Sequence, residues 1–334
     1  MEYLLLPHPA FARLFSGSAE AALAAETAAL LGLRDTVPRG ETLAGVSYYV
    51  LSRPEMTPAQ HAALARSAAF LALYSRVGDL LRPEDVSEWH VLPDMLPALL
   101  KYQGKTNERF TRFLVNLAQG ARRGGEKARL TVLDPMCGQG TTLFEAAVRG
   151  WDAIGLEALE PPARKGAEYF VKFLENGRYK HKKTAERRSE GGKRIGTLTE
   201  VRWAANRGDW ETENTRTLRI FCAEAQNADR LLSKKSADLL VCDLPYGVQH
   251  GGREGGAYTG VAGLLRACLP HWVPALRPGA GVALAYNTLT ARRDVLCTLL
   301  TEAGFSVDTT LSGGALCHRV DQAITRDVII ASYK

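Results

Sequence analysis

Apolar positions along the chain occur in short runs cut by glycine, proline and charge, and the period within each run names the element it predicts. In the first 90 residues, Tyr3 to Leu6, Val46 to Leu51 and Phe70 to Tyr74 read as strands, and Ala21 to Leu31 reads as an alanine-rich helix. Thr57-Pro58 has the chemistry of an N-cap followed by proline at the first helical position, which opens a helix to about Ala65. Residues 1–90 are therefore expected to form a small α/β domain without catalytic motifs, for which a substrate-positioning role and a structural prefix fit equally well. Residues 91–128 read as a connecting helical segment. There Leu92 to Leu100 leads into Lys101-Tyr102-Gln103-Gly104-Lys105-Thr106-Asn107-Glu108, and Phe110, Phe113, Leu114 and Leu117 share one helical face. Thr106 is the expected N-cap, and Lys105, Thr106 and Asn107 could reach the rim of a ligand pocket, unless the segment is only a capped helix.

Residues 129–334 open with a stronger pattern. The apolar run Leu130, Val132, Leu133 is stopped by Asp134-Pro135-Met136-Cys137-Gly138-Gln139-Gly140, because proline has no N–H for a ladder and glycine tolerates positive φ. Thr141, Thr142, Leu143, Phe144, Ala146, Ala147 and Val148 carry helical spacing closed by Gly150, and Ala153 to Leu156 form a second strand ending in Glu157. This is a β-α-β unit whose glycine turn leaves free N–H groups at a helix start, with an acid placed to accept both hydroxyls of a ribose. The dinucleotide fingerprint puts a third glycine where this chain has Leu143, and Asp134 would repel a pyrophosphate. S-adenosylmethionine (SAM), with an ammonium and a ribose, fits better; a tight turn without a ligand is the plain alternative.

Further along, a helix is expected from about Ala163 to Leu174, then strands Leu218 to Cys222 and Ala237 to Cys242. A helix Val261 to Leu276, a strand Val282 to Tyr286, a helix Arg292 to Ala303 and final strands Phe305 to Leu311 and Thr325 to Tyr333 complete the pattern. The fold class this predicts is α/β, a Rossmann-like, mostly parallel sheet with an antiparallel last strand, beside the small N-terminal α/β domain. Glu224 and the backbone N–H of Ala225, just past a strand end, could read an adenine's amino group and ring nitrogen. His250-Gly251-Gly252-Arg253-Glu254-Gly255-Gly256 is either a loop closing over substrate or a linker, and His318 and Arg319 read as loop residues.

Charge adds a partner. The net charge of +6 is modest for 334 residues, but Arg178, Lys180, His181, Lys182, Lys183, Arg187, Arg188, Lys193 and Arg194 are opposed in their stretch only by Glu186 and Glu190. With Ser189, Gly191 and Gly192 among them, this part of the insertion 176–215 is expected to be a mobile surface excursion: a solvated face, or a source of phosphate attraction for RNA. The six cysteines are scattered without a C-x-x-C pair, which argues against zinc or a disulfide framework. No apolar run approaches the length of a membrane span, and the start of the chain lacks a secretory signal pattern, so a cytoplasmic protein is expected.

The second motif is Asp243-Leu244-Pro245-Tyr246-Gly247, at the end of a buried-type strand. An exocyclic base amine is a poor nucleophile, its lone pair delocalised into the ring, until acceptors hold its N–H groups. Asp243 and the carbonyl of Leu244 can be those acceptors, aimed by Pro245, while Tyr246 offers a flat surface for an extruded base. No metal is required.

Asp-Pro-x-Cys-Gly-x-Gly-Thr followed by Asp-(Leu/Pro)-Pro-Tyr-Gly resembles the paired signature of class I SAM-dependent amino methyltransferases, and most of all the THUMP-associated tRNA guanine 2-amino methyltransferases. Thr111 to Ala118 is similar to the helix before that family's first motif, so the resemblance covers about Lys101 to Lys334. It implies that Asp134, Gly138, Gly140, Glu157 and Glu224 bind SAM, with Met136, Cys137, Thr141, Ala225 and Thr106 around the same site. It implies too that Asp243, Leu244, Pro245 and Tyr246 hold the target base, most like guanine in tRNA. Leu244 stands where many relatives have proline, and the N-terminal region is short for a THUMP domain together with its ferredoxin-like neighbour. Two competing classes stay open: a DNA adenine or cytosine amino methyltransferase, and a non-catalytic RNA-binding protein on a methyltransferase scaffold.

Overall fold

The computed structural model describes residues 1–32, 37–86, 89–100, 104–125, 127–246, 260–310 and 315–334. The glycine-rich loop 250–256, residues 101–103, Gly247 and Leu311 lie outside the described residues.

The N-terminal region runs β1 (Glu2–Pro7), α1 (Pro9–Leu14), α2 (Ala19–Leu31), β2 (Arg39–Leu43), β3 (Val46–Ser52), α3 (Pro58–Ala65), β4 (Phe70–Val77) and β5 (Leu80–Pro83). Its strands form an antiparallel five-stranded sheet in the order β2-β3-β1-β4-β5. The expected start of α3 holds in full: Thr57 and Gln60 form a reciprocal capping box with Pro58 in the first turn. Helix α1 and strands β2 and β5 were not expected, because each is short and lacks enough periodic apolar positions to be read locally.

The connecting segment contains α4 (Leu96–Leu99) and α5 (Glu108–Ala121). The cap of α5 lies one residue later than expected. Asn107 Oδ1 accepts the N–H groups of Arg109 and Phe110, while the Thr106 hydroxyl is turned to a partner 137 residues away. Competition from a tertiary hydrogen bond, invisible in local sequence, decided which polar residue became the cap.

The remainder runs β6 (Thr131–Asp134), α6 (Thr141–Val148), β7 (Asp152–Glu157), α7 (Glu160–Asn176), β8 (His181–Glu190), β9 (Lys193–Trp203), α8 (Arg207–Glu211) and β10 (Arg216–Cys222). It continues through α9 (Ala228–Leu231), β11 (Ala237–Asp243), α10 (Gly260–Trp272), β12 (Leu276–Asn287), α11 (Arg293–Glu302), β13 (Phe305–Val307), β14 (His318–Arg319) and β15 (Thr325–Tyr333). The sheet order is β13-β15-β12-β11-β6-β7-β10-β9-β8, with β14 paired to β15. Strands β12, β11, β6, β7 and β10 are parallel, and β15 is antiparallel to its neighbours, so the expected Rossmann-like architecture is present. Helix α10 stops at Trp272 and β12 begins at Leu276, six residues before the expected strand start. His318 is buried in β14 against Phe15 and Phe110 rather than lying in a loop.

The basic segment is an ordered β-hairpin, not a mobile excursion. Gly191 and Gly192, read above as breakers, are its two-residue turn, with φ of 54° and 75° as a type I′ turn needs. Strand β9 pairs with β10, and its Leu198, Val201 and Trp203 are buried, whereas β8 is the exposed edge. A strand exposed on both faces has no apolar period to read, and its lysines and arginines also discourage edge-to-edge association.

Two cores flank the large sheet. Phe110, Phe113, Phe144 and Phe170 of α5, α6 and α7 pack on one face, and that core continues without a break into Tyr3, Phe11, Phe15 and Leu23 of the N-terminal region. Leu265, Trp272, Leu296 and Leu300 of α10 and α11 cover the other. Helix α5 sits so close to β12 that a Cβ on Gly281 would lie 1.8 Å from the Ala118 carbonyl oxygen. Gly281→Ala should therefore destabilise the protein by about 1–3 kcal/mol through overpacking, read as a lower midpoint in urea unfolding. A variant with the parental midpoint would refute that approach of helix to strand.

Candidate active site

Four acids stand where adjacent parallel strands end. In spatial order, Asp243 closes β11, Asp134 closes β6, Glu157 closes β7 and Glu224 follows β10. The register keeps them on one edge: Asp134 lies opposite Gly155, and Cys222 opposite Glu157. The chain runs from β6 to β7 on one side and places β11 on the other, so the crevice between β6 and β11 is a topological switch point, where open α/β sheets bind ligands.

The glycine turn is built by backbone bonds. Cys137 N–H donates to the Leu156 carbonyl at 2.9 Å, Gly140 N–H to the Cys137 carbonyl at 2.8 Å, and Met136 N–H to Asp134 Oδ1 at 3.1 Å. Gly138 and Gly140 have φ of 55° and 95°, and Gly140 caps α6. The third glycine missing from the helix has a substitute in the strand: a Cβ on Gly155 would lie 2.6 Å from Cys137 Sγ and 2.7 Å from Leu143 Cδ1. Helix and strand thus approach closely although Leu143 is large. Glu157 accepts the N–H of Gly138 at 3.0 Å and of Leu159 at 2.8 Å.

Asp134 is the most deeply buried of the acids. Burial pushes its carboxyl up to about 7, the charges of Asp243 and Glu157 add to the rise, and hydrogen bonds from Thr142 and the Met136 N–H oppose it. A carboxylate whose charge burial penalises suits a cationic group, so the residues fit the ammonium of SAM. Cys137 and Thr141 are buried beside it, Met136 and Ala225 are half-buried, and Glu224 is exposed at the start of a short 3-10 turn. Burial raises the Cys137 thiol well above its ordinary range, which makes it a packing residue.

Around Asp243 the geometry is tight. The Thr106 hydroxyl donates to Oδ2 at 2.7 Å, and the Tyr246 hydroxyl donates to Oδ1. Thr106, expected near the cofactor, is thus in contact with Asp243. Leu244 is buried and its N–H donates to the Ala285 carbonyl at 2.9 Å, which anchors the end of β11, and Pro245 is half-buried after it. Burial and the neighbouring Asp243 carboxylate push the Tyr246 phenol far above its usual range, so it stays a donor. Arg326 of β15 also reaches this group: its Nε donates to the Tyr246 hydroxyl, and Nη2 lies 3.6 Å from Asp243 Oδ2. The sequence reading missed Arg326. Its one local signal is a charged pair, Arg326-Asp327, in a strand otherwise suited to burial.

The carboxyl edge also meets the basic hairpin. Arg187 pairs with Thr197, which pairs with Cys222, so residues 188–196 extend beyond the ends of β10 and β7. Three residues at about 3.3 Å each carry the tip on the order of 10 Å past that edge. Among the described residues, Lys182, Lys183, Arg187 and Lys193 have no ion-pair partner, whereas Arg188 pairs with Glu186 and Arg230 with Glu190. No described helix is long and apolar enough to cross a membrane, and no described cluster of metal-ligating side chains is present.

No curated protein matches the chain. Among solved structures it is similar to TrmN from Thermus thermophilus at 16% identity and a TM-score of 0.42, over 90% of this chain and 60% of that one. It is also similar to magnesium protoporphyrin IX methyltransferase from Synechocystis with bound SAM, at 11% identity and 0.40, over 70% and 87% of the two chains. A TehB-like SAM-dependent methyltransferase from Corynebacterium glutamicum matches at 11% identity and 0.35, over 63% and 82%. Residues 100–296, more than half of the chain, match the family UPF0020, RMKL-like methyltransferase domain, and the protein belongs to that family of SAM-dependent methyltransferase domains.

Proposed function

We propose that this protein methylates an exocyclic amine of an RNA base, with a guanine amine in tRNA as the favoured target. The observation that carries the reading is Asp243, held at the switch point by two hydroxyl donors and sharing the strand-end edge with Asp134 and Glu157. SAM supplies an electrophilic methyl group on a sulfonium. In this reading Asp134 faces its ammonium, the turn with Met136, Cys137, Gly138, Gly140 and Thr141 lies along its methionine part, Glu157 takes the ribose, and Glu224 and Ala225 take the adenine. Asp243 and the Leu244 carbonyl accept the amine's N–H groups, and Tyr246 lies against the base. Guanine suits an anionic acceptor because its N1–H and amine N–H groups are adjacent donors, whereas adenine and cytosine put a lone pair beside the amine. The hairpin overhanging the site favours a polyanion, and RNA rather than DNA follows the sequence resemblance. The N-terminal region, continuous with the core behind the site, has in this reading a positioning role. The deciding assay is transfer of labelled methyl from SAM to total tRNA, ribosomal RNA and DNA in parallel, with nucleoside analysis; label in DNA alone would replace the RNA reading, and no label anywhere would favour a non-catalytic scaffold.

Three measurements probe the parts. Asp134 titrates at about 7 in the free protein, and a cationic ligand prefers its ionised form. Below that pH the proton must leave for SAM to bind, so affinity should fall by up to about tenfold per pH unit and level off above it. Calorimetry in buffers of different ionisation heat should show proton release near pH 6; affinity flat from pH 6 to 8 would remove Asp134 from the ammonium.

Neutralising Lys180, Lys182, Lys183, Arg187 and Arg188 together should weaken RNA binding and flatten its salt dependence with little loss of thermal stability, since four of them lie on the edge strand β8 and Lys180 is exposed just before it. An unchanged salt slope would reduce the hairpin's charges to protection of a sheet edge.

Asp243→Ala should lower turnover by about a hundredfold or more while SAM affinity changes little, because the carboxylate acts on the amine as its new bond forms. Near-parental methyl transfer by the folded variant would make this assignment of Asp243 wrong.

A further inference from the structure

Arg326 is a buried cation of β15, 5% exposed, with the apolar run Val328 to Ala331 beyond it. Its guanidinium lies 4.2 Å from the centre of the Phe110 ring and 5.3 Å from that of Tyr246. Burying a charge is costly, and its contact with Asp243, at 3.6 Å, is too long for a good ion pair. An apolar side chain would fill the space between two rings at lower cost. The nearby Arg293 differs in having a close carboxylate partner, Asp327 at 2.8 Å.

What Arg326 supplies is direction. A guanidinium has donors only, so in its bond to Tyr246 the phenolic oxygen must accept. The phenolic proton is then committed outward, to Asp243 Oδ1. With Thr106 on Oδ2, both carboxylate oxygens are fixed in orientation, and each keeps a lone pair for an incoming donor. Without the arginine, the hydroxyl is free to rotate away.

We propose that Arg326 is a positioning residue for methyl transfer: it acts through Tyr246 to hold the Asp243 carboxylate in the orientation that receives the target amine. The inference rests on the reading that Asp243 holds that amine. Arg326 touches neither substrate nor reacting atoms, so its influence falls on turnover and not on SAM binding.

The test compares Arg326→Gln, Arg326→Lys, Tyr246→Phe and the Arg326→Gln/Tyr246→Phe pair with the parental protein, by steady-state methyl transfer to total tRNA and by SAM titration. Arg326→Gln and Tyr246→Phe should each lower kcat by about tenfold to a hundredfold, the range for losing a hydrogen bond to a charged group, with SAM affinity within about twofold. The double variant should be no slower than the slower single, because both changes cut one chain, and Arg326→Lys should recover part of the loss. Multiplying effects in the double variant, or parental kcat in either folded single, overturns the proposal. If Arg326→Gln does not fold, Arg326→Met, an apolar side chain of similar length for the space between the two rings, takes its place in every comparison. The free protein offers a readout without turnover: the shielded Tyr246 hydroxyl proton should give a downfield NMR signal, absent in Tyr246→Phe and shifted or lost in Arg326→Gln. An unchanged signal in Arg326→Gln overturns the proposal whatever the activity. Asp243→Asn separates the layers: if it retains parental kcat, the amine-holding reading falls and this inference with it; if it is slow while the double variant is multiplicative, only the inference falls.

Discussion

The structure turns on carboxylates that crowd together at one sheet edge at unequal depth. Asp134, Glu157 and Asp243 end three adjacent strands and each receives two donors, but only Asp134 is fully buried. Glu157 receives two backbone N–H groups, and Asp243 receives two hydroxyls with a guanidinium behind one of them. Asp134 receives the N–H of Met136 and a bond from Thr142, and burial still pushes its carboxyl up to about 7. A low-dielectric pocket magnifies each of these differences. Where burial penalises the charge most, a cationic ligand has the most to add.

The N-terminal region is joined to this site by a buried polar network. Glu26 of α2 accepts from Ser67, Ala68 and Asn116, and burial raises its carboxyl above the ordinary range. Asn116 then accepts from Arg149 at 2.7 Å, and Arg149 and Arg112 share Glu145. Trp89 lies under both guanidiniums, 4.7 Å from that of Arg112 and 5.8 Å from that of Arg149. Every link depends on its neighbours, because a buried charge that loses its partner costs several times what the pair contributes. The network grips α5 along one side. The segment before α5 delivers Thr106 to Asp243, and Phe110 on its first turn supports Arg326, so packing far from the sheet edge bears on the Asp243 carboxylate.

The large sheet is extended at both edges by antiparallel strands, and each extension serves the same end of the sheet. On one side β15 inserts between β12 and β13 and carries Arg326 to the motif that follows β11. On the other, the β8-β9 hairpin continues past the parallel strands, with Arg187 and Lys193, which have no ion-pair partner among the described residues, near its tip. Parallel strands bring their carboxyl ends together, and the antiparallel additions bring side chains that the parallel set cannot supply.

The sequence by itself determined the parallel core and the acids at its edge. A strand that stops at Asp134-Pro135, a glycine turn, a helix and a strand ending in Glu157 are each specified within a few residues, by backbone rules that no distant contact has to assist. Asp243 to Tyr246 was legible for the same reason. The tertiary structure decided the rest. Gly191 and Gly192 could break a chain or turn a hairpin, and only a sheet edge waiting at β10 makes them a turn. Thr106 was the expected cap of α5, but its hydroxyl goes to Asp243 and Asn107 caps the helix instead. Arg326 and Thr106 lie 83 and 137 residues from Asp243, and no local period records a hydrogen bond across such a distance. Local sequence specifies what a segment can become; the choice among those states is made by the neighbours that the fold brings to it.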